Sequence, residues 1–184
     1  IRNSSGRSEH SGAGSYSQSY PASNRLAQAG CMTQHPYIPV TVEQRTRVDQ
    51  ETAFHTIAPI DLSVVFKAWG PFPSVDGVTD QTGPWDTPGT LRRPQLGDGS
   101  SVVEQLTEYT APHSFAYELR DFTGSLRYVV DHIRGEWTMT PDGSGTMVRW
   151  TYAFYPRPGR GWLVRVVLSR LWRAYAGRML AATL

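Results

Sequence analysis

The sharpest chemical pair in this chain is a carboxylate and a guanidinium, Glu104 and Arg93, which strand alternation sets on one face. Buried together they would neutralise one another. That suits a polar anchor for a ligand carbonyl or hydroxyl better than a general acid. As a plain cross-strand ion pair they would only fix register or be solvated. Tyr117 and Tyr152 are candidate phenolic donors, and acid–base groups only if a neighbour shifted their pKa; no motif supplies such a neighbour. His55, His113 and His132 are widely spaced, with no i, i+4 pair and no His-x-His, so no metal site is expected. There is no Gly-x-Ser-x-Gly elbow, although a Ser-His-Asp triad stays open. Gly97, Gly99, Gly143 and Gly145 sit in hairpin turns and do not open a helix after a strand, so no phosphate-cradling loop and no cofactor are expected. A single cysteine, Cys31, excludes an intramolecular disulfide and an all-cysteine metal cage, and suits a reducing cytoplasm.

The elements that must position these residues follow from turn chemistry and alternation. A two-residue turn at Asp98-Gly99 predicts a hairpin that pairs Leu96 with Ser101, Arg93 with Glu104 and Leu91 with Leu106. The next turn, at Ala111-Pro112, pairs Glu108 with Phe115, Leu106 with Tyr117 and Glu104 with Leu119. Opposed residues share a face, so Leu91, Leu106, Phe115, Tyr117 and Leu119 are predicted to point inward with Glu104 and Arg93. A third hairpin turns at Asp142 to Gly145 and pairs Trp137 with Trp150 and Met139 with Val148. Ile133, Gly135, Tyr152 and Phe154 then join the same face. Slipping that register by one sets Trp137 against Arg149 and sends half of the apolar set to solvent.

Upstream, Thr41 to His55 reads as a first strand with loose alternation, and Asp61 as the N-cap of a short helix over LSVVFKAW. Gly77 to Gly89 is turn-rich, with Trp85 its one large residue. Downstream, Pro158 to Leu184 reads as a long amphipathic helix. Val164, Leu168, Leu171, Trp172, Tyr175 and Met179 form one stripe, and Arg165, Arg170, Arg173 and Arg178 occupy the remaining arc. One such helix after a β-meander has the concave face of the sheet on which to bury its stripe, which leaves room for a cavity.

Residues 1–31 are rich in Ser, Gly, Ala, Asn and Gln and show no apolar period, so 1–35 is expected to be a flexible tail and 36–184 the folded domain. Met32 is a candidate initiator, with the residues before it an upstream extension or an expression remnant. No signal peptide and no run of roughly 20 apolar residues are visible.

The net charge of +2 hides an asymmetry. Residues 157–184 carry six Arg and no acid, whereas 32–156 carry 9 basic and 15 acidic residues, a net of −6. An acidic sheet under a basic helix does not offer the continuous basic face that nucleic acid requires. The arginines read first as a solvated helix face and second as a weak peripheral contact with an anionic membrane.

The segments GPWDTPGTLRRPQLGDGSSVVEQLTEYTAPHSFAYEL, RGEWTMTP and GTMVRWTYAFYPRP, followed by a Trp- and Arg-containing terminal helix, resemble the START-like (SRPBCC) superfamily. The nearest branch is the polyketide cyclase/dehydratase-like proteins, and the likeness runs from about Val42 to Met179. It implies an α+β helix-grip fold: a curved antiparallel sheet wrapped around a long C-terminal helix, with an apolar ligand cavity between them. On that fold the core and the cavity wall are one surface. The expected ligand-binding set is therefore Arg93, Glu104, Leu106, Phe115, Tyr117, Trp137, Trp150, Tyr152, Phe154, Leu168 and Trp172. The expected function is binding or carriage of a hydrophobic or aromatic small molecule, lipid or polyketide-like. The alternative is a cyclase or dehydratase, which would need a donor and acceptor of protons beyond a self-neutralising ion pair. Oligomeric state stays open.

Overall fold

The longest strands, β6 (Val130–Asp142) and β7 (Gly145–Pro156), form the spine of the computed structural model, which describes residues 37–184. The expected tail lies outside those residues. Trp137 faces Trp150, Met139 faces Val148, Ile133 faces Phe154 and Gly135 faces Tyr152, as the apolar alternation of both strands requires. Around this pair the sheet continues through β1 (Ile38–Thr46), β2 (Val75–Thr79), β3 (Leu91–Leu96), β4 (Val103–Thr110) and β5 (Ser114–Arg120). All seven strands pair antiparallel in the order β1-β7-β6-β5-β4-β3-β2. The sheet curls into a half-barrel, and the C-terminal helix lies in its grip.

That helix enters through a short turn, α3 (Gly161–Leu163), continues through a π-helical turn (Val164–Leu168) and ends as α4 (Ser169–Thr183). Val164, Tyr175, Ala176, Met179 and Leu180 are buried, and α4 packs against β1. Full burial of each large apolar side chain contributes about 1.5–3 kcal/mol, so this stripe holds the helix in place. Among the described residues no helix is long and apolar enough to cross a membrane.

Several expectations about the elements are corrected. The strand expected over 41–55 ends at Thr46, and Gln50–Ile57 is a helix, α1. Asp49 caps it: Oδ1 accepts from Thr52 N at 2.9 Å, which satisfies one of the free donors of the first turn. Ala53, Phe54 and Ile57 are its buried stripe. Asp61 does cap a helix, α2, but that helix is only Leu62–Val65. Between β4 and β5 a bulge at Thr107 leaves Leu106 opposite Tyr117 but sets Phe115 opposite Tyr109, not Glu108.

The last correction reaches the site. The β3–β4 loop has three residues, not two: Gly99 N donates to Leu96 O at 2.9 Å, and Leu96 N to Ser100 O at 2.8 Å. Gly99 takes a φ of 80°, the left-handed conformation a three-residue hairpin loop needs at that position. The register therefore moves by one residue, so Arg92 lies opposite Glu104 and Leu91 opposite Gln105. Arg93 turns outward and pairs with Asp80 near the surface at 3.1 Å.

Candidate functional site

Glu104 is the second residue of β4, on its inner face, and only 3% of it is exposed. Arg92, brought opposite by the loop register, donates Nε–H to its Oε2 at 2.6 Å. Trp85, from the loop before β3, lies against the guanidinium with 3.7 Å between Cζ and the ring centroid. A charge pair taken out of water needs such further partners. No other bond to the Arg92 Nη groups or to Glu104 Oε1 is formed among the described residues. No buried side-chain polar atom there lacks a partner, so these unbonded atoms are the ones still reachable from the cavity.

Beside the pair lies a chain of three aromatic polar groups. The indole N–H of Trp150 is donor-only and bonds Tyr117 Oη at 3.1 Å. Tyr117 then gives its own hydroxyl hydrogen to Tyr152 Oη at 3.2 Å. Tyr152 accepts, and its hydrogen remains to be offered. The two phenols meet over Gly135, which pairs with Tyr117 on one side and Tyr152 on the other. A methyl group on Gly135 would overlap the Tyr117 ring. Burial, with the nearby Glu104 charge second, pushes the Tyr117 phenol up to about 12. Burial and the neighbouring Tyr117 raise Tyr152 well above its ordinary value of 10.0. Both are protonated donors at neutral pH and poor bases.

Arg92, Glu104, Tyr117 and Tyr152 face a cavity of about 370 Å³ between the sheet and the C-terminal helix. Phe115, Trp137, Phe154, Leu168 and Trp172 line it with Glu104, Tyr117 and Tyr152. Leu106 and Trp150 are buried behind that wall, with Trp150 stacked on Trp137 at 4.6 Å between centroids, and Arg93 is outside it. Trp172 binds the helix to β7 through Tyr152 and Phe154, with centroids 4.4 and 6.0 Å away. Of its lining residues Pro71, Asp98, Ser125 and Val167 are exposed and mark where it opens: the turn after α2, the β3–β4 turn, the 3-10 turn at Ser125–Tyr128 and the start of the terminal helix.

Sequence reasoning missed Arg92, Trp85, Phe66, Phe72 and Tyr175, all of which line the cavity. Arg92 was reachable through the Gly-Asp-Gly spacing of its loop. Trp85, the lone large residue of a turn-rich stretch, was a signal in itself. Phe66 and Phe72 flank a loop whose path only the tertiary structure reveals; Phe72 stacks on Tyr175 at 4.9 Å. The histidines stay apart: His55 is exposed on α1, His113 bonds Gln50, and His132 stacks on Tyr155.

Among solved structures the fold is similar to Ara h 8.0201, at 14% identity and a TM-score of 0.60, over 80% of this chain and 96% of that one. It is also similar to TTHA0849 from Thermus thermophilus, at 17% identity and a TM-score of 0.60, over 79% and 94%. A third likeness is to DynU16, a protein of the dynemicin biosynthetic locus, at 17% identity and a TM-score of 0.54, over 79% and 47%. At such identities the likeness is one of fold. No curated protein matches the chain. The family model described as polyketide cyclase / dehydrase and lipid transport matches residues 38–183, which take in the whole of the sheet and of the terminal helix, and the chain belongs to that family.

Proposed function

We propose that the chain binds and carries a hydrophobic or aromatic small molecule, its apolar body between sheet and helix and its polar end on Arg92, Glu104 and Tyr152. The cavity carries this reading: about 370 Å³, walled mostly by aromatic and aliphatic side chains, with Arg92, Glu104, Tyr117 and Tyr152 among its polar groups, besides Asp98, Ser100, Ser101 and Ser125. That is the usual anatomy of a small-molecule site. The chemistry of the cluster narrows the ligand. Arg92 and Tyr152 offer hydrogens and Glu104 Oε1 accepts one, which suits a carbonyl or phenol oxygen beside a hydroxyl.

A cyclase or dehydratase is the second reading. It draws on the same donors, since a guanidinium and a protonated phenol side by side would stabilise an enolate oxygen. Against it, no His or Lys lines the cavity, and both phenols hold their protons firmly. Carriage is therefore preferred.

Native mass spectrometry of protein purified without detergent is the test, followed by titration with an apolar fluorescent probe. A co-purifying small molecule or saturable 1:1 probe binding is expected, with quenching of Trp137 and Trp172 at the cavity wall. Absence of both overturns the reading. Consumption of an added poly-β-keto substrate, lost in Tyr152→Phe with probe binding intact, would move the assignment to the enzyme.

A further inference from the structure

The first turns of the terminal helix expose apolar surface that the fold does not use. Trp162 is 64% exposed, Val166 48% and Val167 41%. Val166, Val167 and Leu168 are three successive apolar residues on a helix, more than one buried face takes up, so part of the run must project. It projects from the π turn, whose carbonyls are held by local side chains: Ser169 Oγ donates to Arg165 O at 2.6 Å and Arg170 Nη1 to Val166 O at 2.5 Å. Leu163 and Val167 line the cavity, while Trp162 and Val166, each one residue earlier, lie outside its lining. The exposed patch is thus continuous with the cavity mouth.

Its surroundings say what covers it. Arg165, Arg170 and Arg173 are exposed around the patch, and none forms an ion pair among the described residues. No acid occurs from 157 to 184. An exposed Trp with aliphatic neighbours, beside guanidinium groups that form no ion pair among the described residues, matches a surface that is negative outside and apolar a few ångströms below. Asp98 is the one exposed acid of the cavity lining. We propose that the Trp162–Val167 turn docks the mouth of the cavity onto an anionic lipid bilayer. A ligand moving between bilayer and cavity would then pass over Trp162 and Val167 without crossing open water. This deepens the carrier reading but is measured separately, because docking is tested with vesicles and no cavity probe.

The experiment is flotation of the full chain with phosphatidylcholine vesicles, with and without phosphatidylglycerol. Binding is expected with the anionic vesicles and about tenfold weaker with neutral ones. The double variant Trp162→Ser with Val166→Ser is expected to lose about tenfold in partitioning while keeping the parent's melting temperature and probe binding. Should that variant fold poorly, the parent and Trp162→Phe are compared in vesicles of brominated lipid. Most of the lipid-dependent quenching should disappear in the Phe variant. Failure of the parent to bind anionic vesicles, equal binding by the folded double variant, or unchanged quenching in Trp162→Phe each overturns the proposal. A concentration-dependent dimer that the double substitution dissociates, with no vesicle binding, would assign the patch to a second copy of the chain.

Discussion

At the scale of single residues, Glu104 has one guanidinium partner, and a loop one residue longer than expected makes it Arg92. Glu104→Gln keeps an acceptor oxygen for Arg92 and is expected to stay close to the parent in denaturant unfolding. Glu104→Ala strands a buried cation and should cost about 3 kcal/mol or more. Arg93→Ala removes only a near-surface pair with Asp80 and should change stability by less than about 1 kcal/mol. If Arg93→Ala proves as costly as Arg92→Ala, the register is wrong. Tyr117 adds a pH signature. Its folded pKa of about 12 lies above the ordinary 10.0, so below pH 10 both states hold the proton and its contribution is complete. Above that the unfolded chain ionises first, and stability falls until the folded pKa is passed. Two units correspond to about 3 kcal/mol at most. Unfolding measured from pH 9 to 12 should show this fall, and Tyr117→Phe should make it shallower; an identical slope in the variant removes Tyr117 as its source.

At the scale of elements, legibility followed the strength of the local pattern. Trp137, Met139, Val148 and Trp150 alternate on both strands of one hairpin, so a slip would have exposed several large side chains, and their register was readable. Arg92 and Arg93 are the same residue type side by side, so the apolar pattern of β3 did not resist a one-residue slip, and only the backbone of Gly99 decided it. Helix α1 was hidden because Val42, Arg45 and Arg47 prolong a weak alternation past Thr46. The Asp49-x-x-Thr52 cap was the signal that should have stopped it. Phe66 and Phe72 enter the site through a loop whose course is set by packing against Tyr175, information that no local window holds. The central strands also place Gly135 between two tyrosines whose hydroxyls must meet. Gly135→Ala is expected to destabilise by about 1–3 kcal/mol through overpacking and to part the phenols. Its near-UV circular dichroism should change with its melting temperature; a variant unchanged in both would show that the tyrosines do not cross at that residue.

At the scale of the whole molecule, the sheet and the C-terminal helix are joined across a space that neither fills. Trp172 is one bridge, touching Trp150, Tyr152 and Phe154 from the helix side. A ligand in that space supplies missing contacts to both layers, so it should stabilise the folded chain in proportion to its affinity. At a hundredfold excess over Kd the gain is about 2.7 kcal/mol. In a domain of this size that is a rise of roughly 5–10 °C in Tm. The polar cluster makes the comparison selective. A hydrocarbon and an aromatic hydroxy-ketone of equal size gain alike from the apolar wall, but only the second can engage Arg92, Glu104 and Tyr152. At matched free concentrations the hydroxy-ketone should raise Tm further, and the excess should shrink in Tyr152→Phe and in Glu104→Gln while the hydrocarbon shift persists. Trp172→Ala should diminish both shifts, because it removes wall from the cavity and costs about 3–5 kcal/mol of helix packing on its own. Equal shifts for the two ligands in the parent would mean that the polar cluster is structural. The cavity would then select by shape alone, and the ion pair's place would be to hold β3 against β4.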